Sequence, residues 1–200
     1  MVLVIDTSSA WSGLAVLGER AAGAEVVAER TLPALRAESL PAAVAEVVGD
    51  RPLDAVAIAL GPGSFTGLRA GASFAIGLAR GARLALLGMP TLGLVRARAS
   101  IAVTPLAEAG RGRVYLERAE GKVVVAEPAE IPHEVPAVGW LRGQTATAVR
   151  AAGVELLGDA ALASFGTAAA RSIGSATELA YGRVMLSYVS SAGGVLGERA

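Results

Sequence analysis

The chain has 200 residues with 18 basic and 18 acidic side chains and one histidine, so its formal net charge at pH 7 is zero. That length suffices for one compact domain or two small subdomains with a real core. The charge balance lacks the basic excess with which a protein holds nucleic acid unaided. Apolar residues make up 53% and the mean hydropathy is +0.53, which suggests a large buried interface. No uninterrupted apolar run approaches the roughly 18 residues that a membrane span needs. Cysteine is absent, which excludes disulfides, thiol nucleophiles and Cys-ligated metals. The opening Met1–Asp6 has no basic stretch before its apolar run; it reads as a strand rather than a signal peptide, and a cytoplasmic location is expected.

In chain order, Val2-Leu3-Val4-Ile5 reads as a short buried strand ending at Asp6, and Asp6-Thr7-Ser8-Ser9 is turn chemistry. Ser12–Leu17 and the alternating Glu25–Thr31 give two more strands, spaced as an antiparallel meander. A helix follows from about Arg36 to Val48, with Pro41 in its first turn, where proline is tolerated. Strand Ala55–Leu60, helix Ser64–Gly81 and strand Leu84–Leu87 come next, and this alternation implies parallel additions to the sheet. Three antiparallel strands followed by α-β-α-β form the ribonuclease H-like unit. A second, weaker unit begins near Ser100, with strands at Ile101–Pro105, Val114–Arg118 and Val123–Ala126 and helices near Thr145–Ala152 and Asp159–Arg171. The expected fold is therefore α/β, two ribonuclease H-like (actin-like) subdomains with mixed sheets flanked by helices. Residues 1–98 and 99–190 form the two, and 191–200 a mobile tail.

The block Gly61-Pro62-Gly63-Ser64-Phe65-Thr66-Gly67-Leu68-Arg69 turns the chain from a strand into a helix capped by Ser64. A helix start in this position can cradle an anion. On a helical wheel Thr66, Arg69, Ser73 and Arg80 share one narrow polar stripe, and nearly all else is apolar or glycine. Phe74 and Leu78 form one apolar flank; Phe65, Leu68, Ala72 and Ile76 form another. A surface helix normally buries one stripe. The spare flank is covered either by a partner protein or by the Arg36–Val48 helix, which carries Leu40, Val44 and Val47. Gly67, Gly71 and Ala75, spaced by four, let another backbone come close in either case.

Catalytic chemistry is sparse. The block lacks the lysine of a phosphate-binding P-loop, since Leu68 follows Gly67, and lacks the last glycine of a dinucleotide fingerprint. Asp6 and Thr7 are candidate nucleotide contacts through a magnesium–phosphate pair, against the plainer reading of an aspartate capping its own turn. The lone His133 lies in a proline-flanked loop with no nucleophile near it in sequence and cannot form a His-x-x-x-His metal site. Glu127, Glu130 and Glu134 read as solvated loop acids, and Arg111, Arg113 and Arg118 as surface charges that could touch RNA within a complex. No catalytic residue, metal site or cofactor is assigned.

Three stretches carry a family likeness: Val4-Ile5-Asp6-Thr7-Ser8, the Gly61–Arg69 block, and Gly88-Met89-Pro90-Thr91-Leu92. Together they resemble the bacterial TsaB (YeaZ) family over residues 1 to about 95. Beyond that, only Gly112-Arg113-Val114-Tyr115 is similar. The resemblance implies a non-catalytic partner of the related, metal-containing TsaD in forming N6-threonylcarbamoyladenosine in tRNA. The modified adenosine lies next to the anticodon of tRNAs that read codons beginning with adenine. It also implies the ATPase TsaE in a larger assembly, a homodimer when TsaD is absent, and tRNA contact only through the complex. In that family the first two helices dock on TsaD, which makes Leu40, Val44, Val47, Phe65, Leu68, Arg69, Ala72 and Ile76 the expected interface. The other readings are an actin-like ATPase or small-molecule kinase using Asp6 and Thr7 and, more remotely, a peptidase.

Overall fold

The computed structural model describes residues 1–21, 23–33, 39–189 and 195–199. Its centre is a six-stranded mixed sheet built from β1 (Val2–Asp6), β2 (Trp11–Arg20), β3 (Gly23–Pro33), β4 (Ala55–Ala59), β5 (Ala85–Met89) and β11 (Thr177–Glu178), in the order β11-β5-β4-β1-β2-β3. β1, β2 and β3 form the antiparallel meander, and β4 and β5 add parallel to β1. This is the ribonuclease H-like arrangement expected from the strand–helix alternation. Leu3, Ile5, Val56 and Ile58 point to one side of the sheet and Val4, Ala57 and Ala59 to the other, as a strand's two-residue period requires. Both sides are therefore apolar, and both are covered.

Helices α1 (Leu40–Val48) and α2 (Phe65–Ala82) cover the first side. The expected start of α1 at residues 36–38 lies outside the described residues. The other side is covered by α3 (Thr91–Arg96) and α5 (Phe165–Ser172), whose Leu94, Phe165 and Ala169 meet Val4, Ala15 and Leu17. The Glu29 carboxylate ties α5 down by accepting from the Gly166 N–H at 2.6 Å.

The second half is smaller. It contains a three-stranded antiparallel sheet of β7 (Ala107–Gly110), β8 (Arg113–Glu117) and β9 (Val123–Ala126), and a parallel pair of β6 (Thr104–Pro105) with β10 (Ala137–Val138). Helix α4 (Gly143–Ala151) joins their core, where Leu106, Val114, Leu116 and Val149 meet.

Segments beyond residue 98 also contribute to the first sheet and its core. α5 and β11 pack with the first sheet, and Val184 and Leu186 enter its core. The chain thus leaves the first half, builds the second and returns, and Phe165 and Ala169 join Leu94 of α3 on the sheet's second apolar face. The described part of the tail is paired. The backbone of β13 (Val195–Arg199) pairs antiparallel with β12 (Met185–Val189), which satisfies donors and acceptors that a loose tail would leave to water.

Candidate functional site

The glycine block is a seat for the chain's own first turn. The Ser64 N–H donates to the Ser8 carbonyl at 2.6 Å, and the Thr7 hydroxyl donates to the Gly67 carbonyl at 2.7 Å. A Cβ at Gly63 would collide with the Ser8 carbonyl, one at Gly67 with the Thr7 carbonyl and one at Gly71 with the Thr7 hydroxyl. The backbone that the Gly67–Gly71 spacing admits is therefore that of residues 7 and 8. Gly61, with φ 107° and a cis bond to Pro62, sits against the Ser187 carbonyl of β12. Its carbonyl accepts from the Thr91 N–H at 3.0 Å.

This packing uses up much of the helix start. The Ser64 side chain accepts from the Gly67 N–H at 3.3 Å as the N-cap, and Ser8 takes the Ser64 N–H. Asp6, 1% exposed, accepts from the Ser8 N–H at 2.8 Å. Burial raises its pKa above the usual 3.8, with the hydrogen bonds from Ser8 pulling the other way. Among the described residues no cluster of three His, Cys, Asp or Glu side chains could hold a metal ion. Asp6 and Thr7 act here as the turn's own capping and packing groups.

Five of the expected interface residues are core residues. Leu40, Val44, Val47, Leu68 and Ala72 are 1–5% exposed and share one apolar cluster with the sheet. The reason is geometric: α1 and α2 lie on the same side of the sheet, and Leu40, Val44 and Val47 share one core there with Leu68 and Ala72. Leu68 and Ala72 of that flank are buried within the chain. Of the remainder, Arg69 and Ile76 are half-buried and Phe65 is 51% exposed. The Phe65 ring lies under the Arg69 guanidinium, 4.0 Å from Cζ to the centroid, and tilts against Tyr188 at 5.2 Å.

The open side of α2 lies elsewhere. Thr66, Ser73, Gly77, Arg80 and Gly81 are exposed, and a Cβ at Gly77 or Gly81 would meet nothing within 4 Å. Ser73, Ile76, Gly77, Arg80 and Gly81 line a shallow open groove of about 540 Å³. Ser73, Gly77 and Gly81 recur at i, i+4 and i+8, so this smooth strip was available from spacing alone. Reading Ser73 and Arg80 only as a polar stripe hid it.

Among the solved structures similar to this chain are two of nearly equal likeness. One is YeaZ from Pseudomonas aeruginosa, 25% identical with a TM-score of 0.54, covering 66% of this chain and 68% of that one. The other is described as an uncharacterized protein with similarity to peptidase YeaZ, from the same organism, 25% identical with a TM-score of 0.53 and the same coverage. The chain is thus similar in fold and in part of its sequence to YeaZ (TsaB) proteins. The family model described as "TsaD: tRNA N6-adenosine threonylcarbamoyltransferase" matches residues 37–131, which run from α1 through the glycine block and α2 into the second half. No curated protein matches the chain significantly. Among the described residues no helix is long and apolar enough to cross a membrane.

Proposed function

We propose that this protein is a non-catalytic partner of TsaD in forming N6-threonylcarbamoyladenosine in tRNA, and that it docks through the open side of α2. The YeaZ-like fold and the TsaD family match support a role in that biosynthesis. The observation that carries the docking reading is the pair Gly77 and Gly81. Glycine inside a helix costs about 0.5–1 kcal/mol relative to alanine, and here neither a turn nor a neighbouring atom of the chain calls for it. A smooth helix face of this kind lets a second helix approach closely. Phe65, Arg69 and Ile76 border it and extend the contact toward the head of α2. On this reading Leu40, Val44, Val47, Leu68 and Ala72 hold the two helices in place and touch no partner.

The buried setting of Asp6 and the occupied start of α2 favour an adaptor over an actin-like ATPase. TsaE joins as a further subunit, tRNA is met only through the complex, the protein acts in the cytoplasm, and it self-associates through the same face when TsaD is absent. Mixing the chain with its cognate TsaD and measuring mass by size exclusion with light scattering tests the reading. A stable heteromeric peak is expected. Separate elution of the two proteins at micromolar concentration would overturn it.

A further inference from the structure

A cleft of about 440 Å³ lies where the head of α2, the β7–β8 turn, the start of α4 and β12 meet. Phe65, Tyr115 and Tyr188 line it together with Ser64, Gly110 and Arg142. Three rings around one small cleft is a notable concentration in a chain whose aromatic content is 4%. Burial raises the pKa of Tyr115, with Arg113 opposing, so its phenol is neutral at ordinary pH.

The rim is cationic. The Arg142 side chain is exposed and forms no ion pair among the described residues. Glu108, the acid in the cleft wall, is committed to the start of α4. It accepts from the Arg142 N–H at 3.0 Å and from the Thr145 hydroxyl at 2.7 Å. Gly110 pairs with Arg113, which leaves Arg111 and Gly112 as a two-residue hairpin turn with φ 56° and 77°. Positive φ at both central positions is the geometry that glycine, asparagine and aspartate normally supply. An arginine held there is strained, and it is exposed on the turn next to Gly110, which lines the cleft.

We infer that this cleft takes one unpaired nucleotide, its base stacked among Tyr115, Phe65 and Tyr188 and its phosphate on Arg111 and Arg142. Stacking on aromatic rings tolerates any base, and two arginines suit a phosphate. Ser8 and the cap take the Ser64 and Gly67 N–H groups at the α2 start, so the phosphate goes to the rim arginines. The nucleotide can arrive free or as part of a single RNA strand. The inference shares Phe65 with the contact proposed on α2 but does not require that contact.

The test uses the isolated full chain at low salt, titrated with adenosine and uridine monophosphates, a short single-stranded oligoribonucleotide and its duplex. Binding of the single strand is expected, with the duplex much weaker. Equal affinity for a monophosphate and the strand would identify the free nucleotide as the ligand; tighter strand binding would identify RNA. Tyr115→Leu should weaken either ligand roughly 5- to 100-fold. Arg142→Ala should weaken it and flatten the salt dependence. Arg111→Gly should do the same while stabilising the fold, because glycine relieves the turn; that separates lost binding from lost structure. No binding by any probe, a duplex bound as tightly as the single strand, or affinity unchanged in Tyr115→Leu and Arg142→Ala would each overturn the inference.

Discussion

The two sides of α2 are built from the same small residues and differ only in what lies opposite them. On the inner side Gly67 and Gly71 are required because Thr7 occupies the space where a side chain would go. Leu68, Ala72, Ala75 and Ala79 there fill the core over the sheet. On the outer side Ser73, Gly77 and Gly81 face open space. Smallness on the inner side is explained by the chain itself; smallness on the outer side is not. Spacing and composition do not separate the two cases. Only the opposing atoms do.

The sharpest way to break this contrast is to place the same charge on each side. Ala72→Glu buries an unpaired carboxylate and should cost about 3–5 kcal/mol, read as a fall in the urea midpoint; a folded, unshifted protein would return Ala72 to the surface. Leu68→Ala should cost about 2–5 kcal/mol by leaving a cavity in the same cluster. Gly67→Ala drives a methyl group at the Thr7 carbonyl and should cost about 1–3 kcal/mol. In contrast, Gly77→Ala should stabilise by about 1 kcal/mol, since the new methyl group meets nothing and helix propensity improves. Equal effects at positions 67 and 77 would abolish the distinction between the two sides.

Asp6 gives a pH-dependent check on the inner side. Burial places its folded-state pKa above the usual 3.8, so the folded protein holds more protons than the unfolded chain from about that pH up to the raised value. Stability from this group is greatest below that window and falls as pH rises through it. Asp6→Asn, whose side-chain oxygen can still accept from the Ser8 N–H, should therefore be more stable than the parent at pH 7. The gain is about 1.4 kcal/mol for each tenfold change in proton affinity, and it should vanish toward pH 3. Thermal melts across that range measure it; a variant less stable at pH 7 would mean that the carboxylate is favoured where it sits.

Much of the first half was legible because its strands and helices carry strong, distinct periods. Val2–Asp6, Ala55–Ala59 and the capped helix after Ser64 appear within a residue or two of where pattern placed them. The return of the chain was not legible. Phe165–Ser172 is apolar on one side, but nothing in its spacing says which half receives that side. Thr177–Glu178 is a two-residue strand with no pattern to read. Ala107-Glu108-Ala109-Gly110 has weak strand propensity and is held by pairing with Arg113–Glu117. The burial of Leu40, Val44, Val47, Leu68 and Ala72 was not legible for a related reason. A wheel counts apolar flanks but cannot show that α1 and α2 lie on the same side of the sheet and share one core.

The central claim is that α2 presents its outer side, and not its inner apolar flank, to TsaD. Gly77→Glu tests it directly in one experiment, with thermal melting and co-elution with cognate TsaD measured on the same sample. A melting temperature near that of the parent together with loss of the heteromeric peak is the expected result. A heteromeric peak undiminished by glutamate at that position would contradict the account.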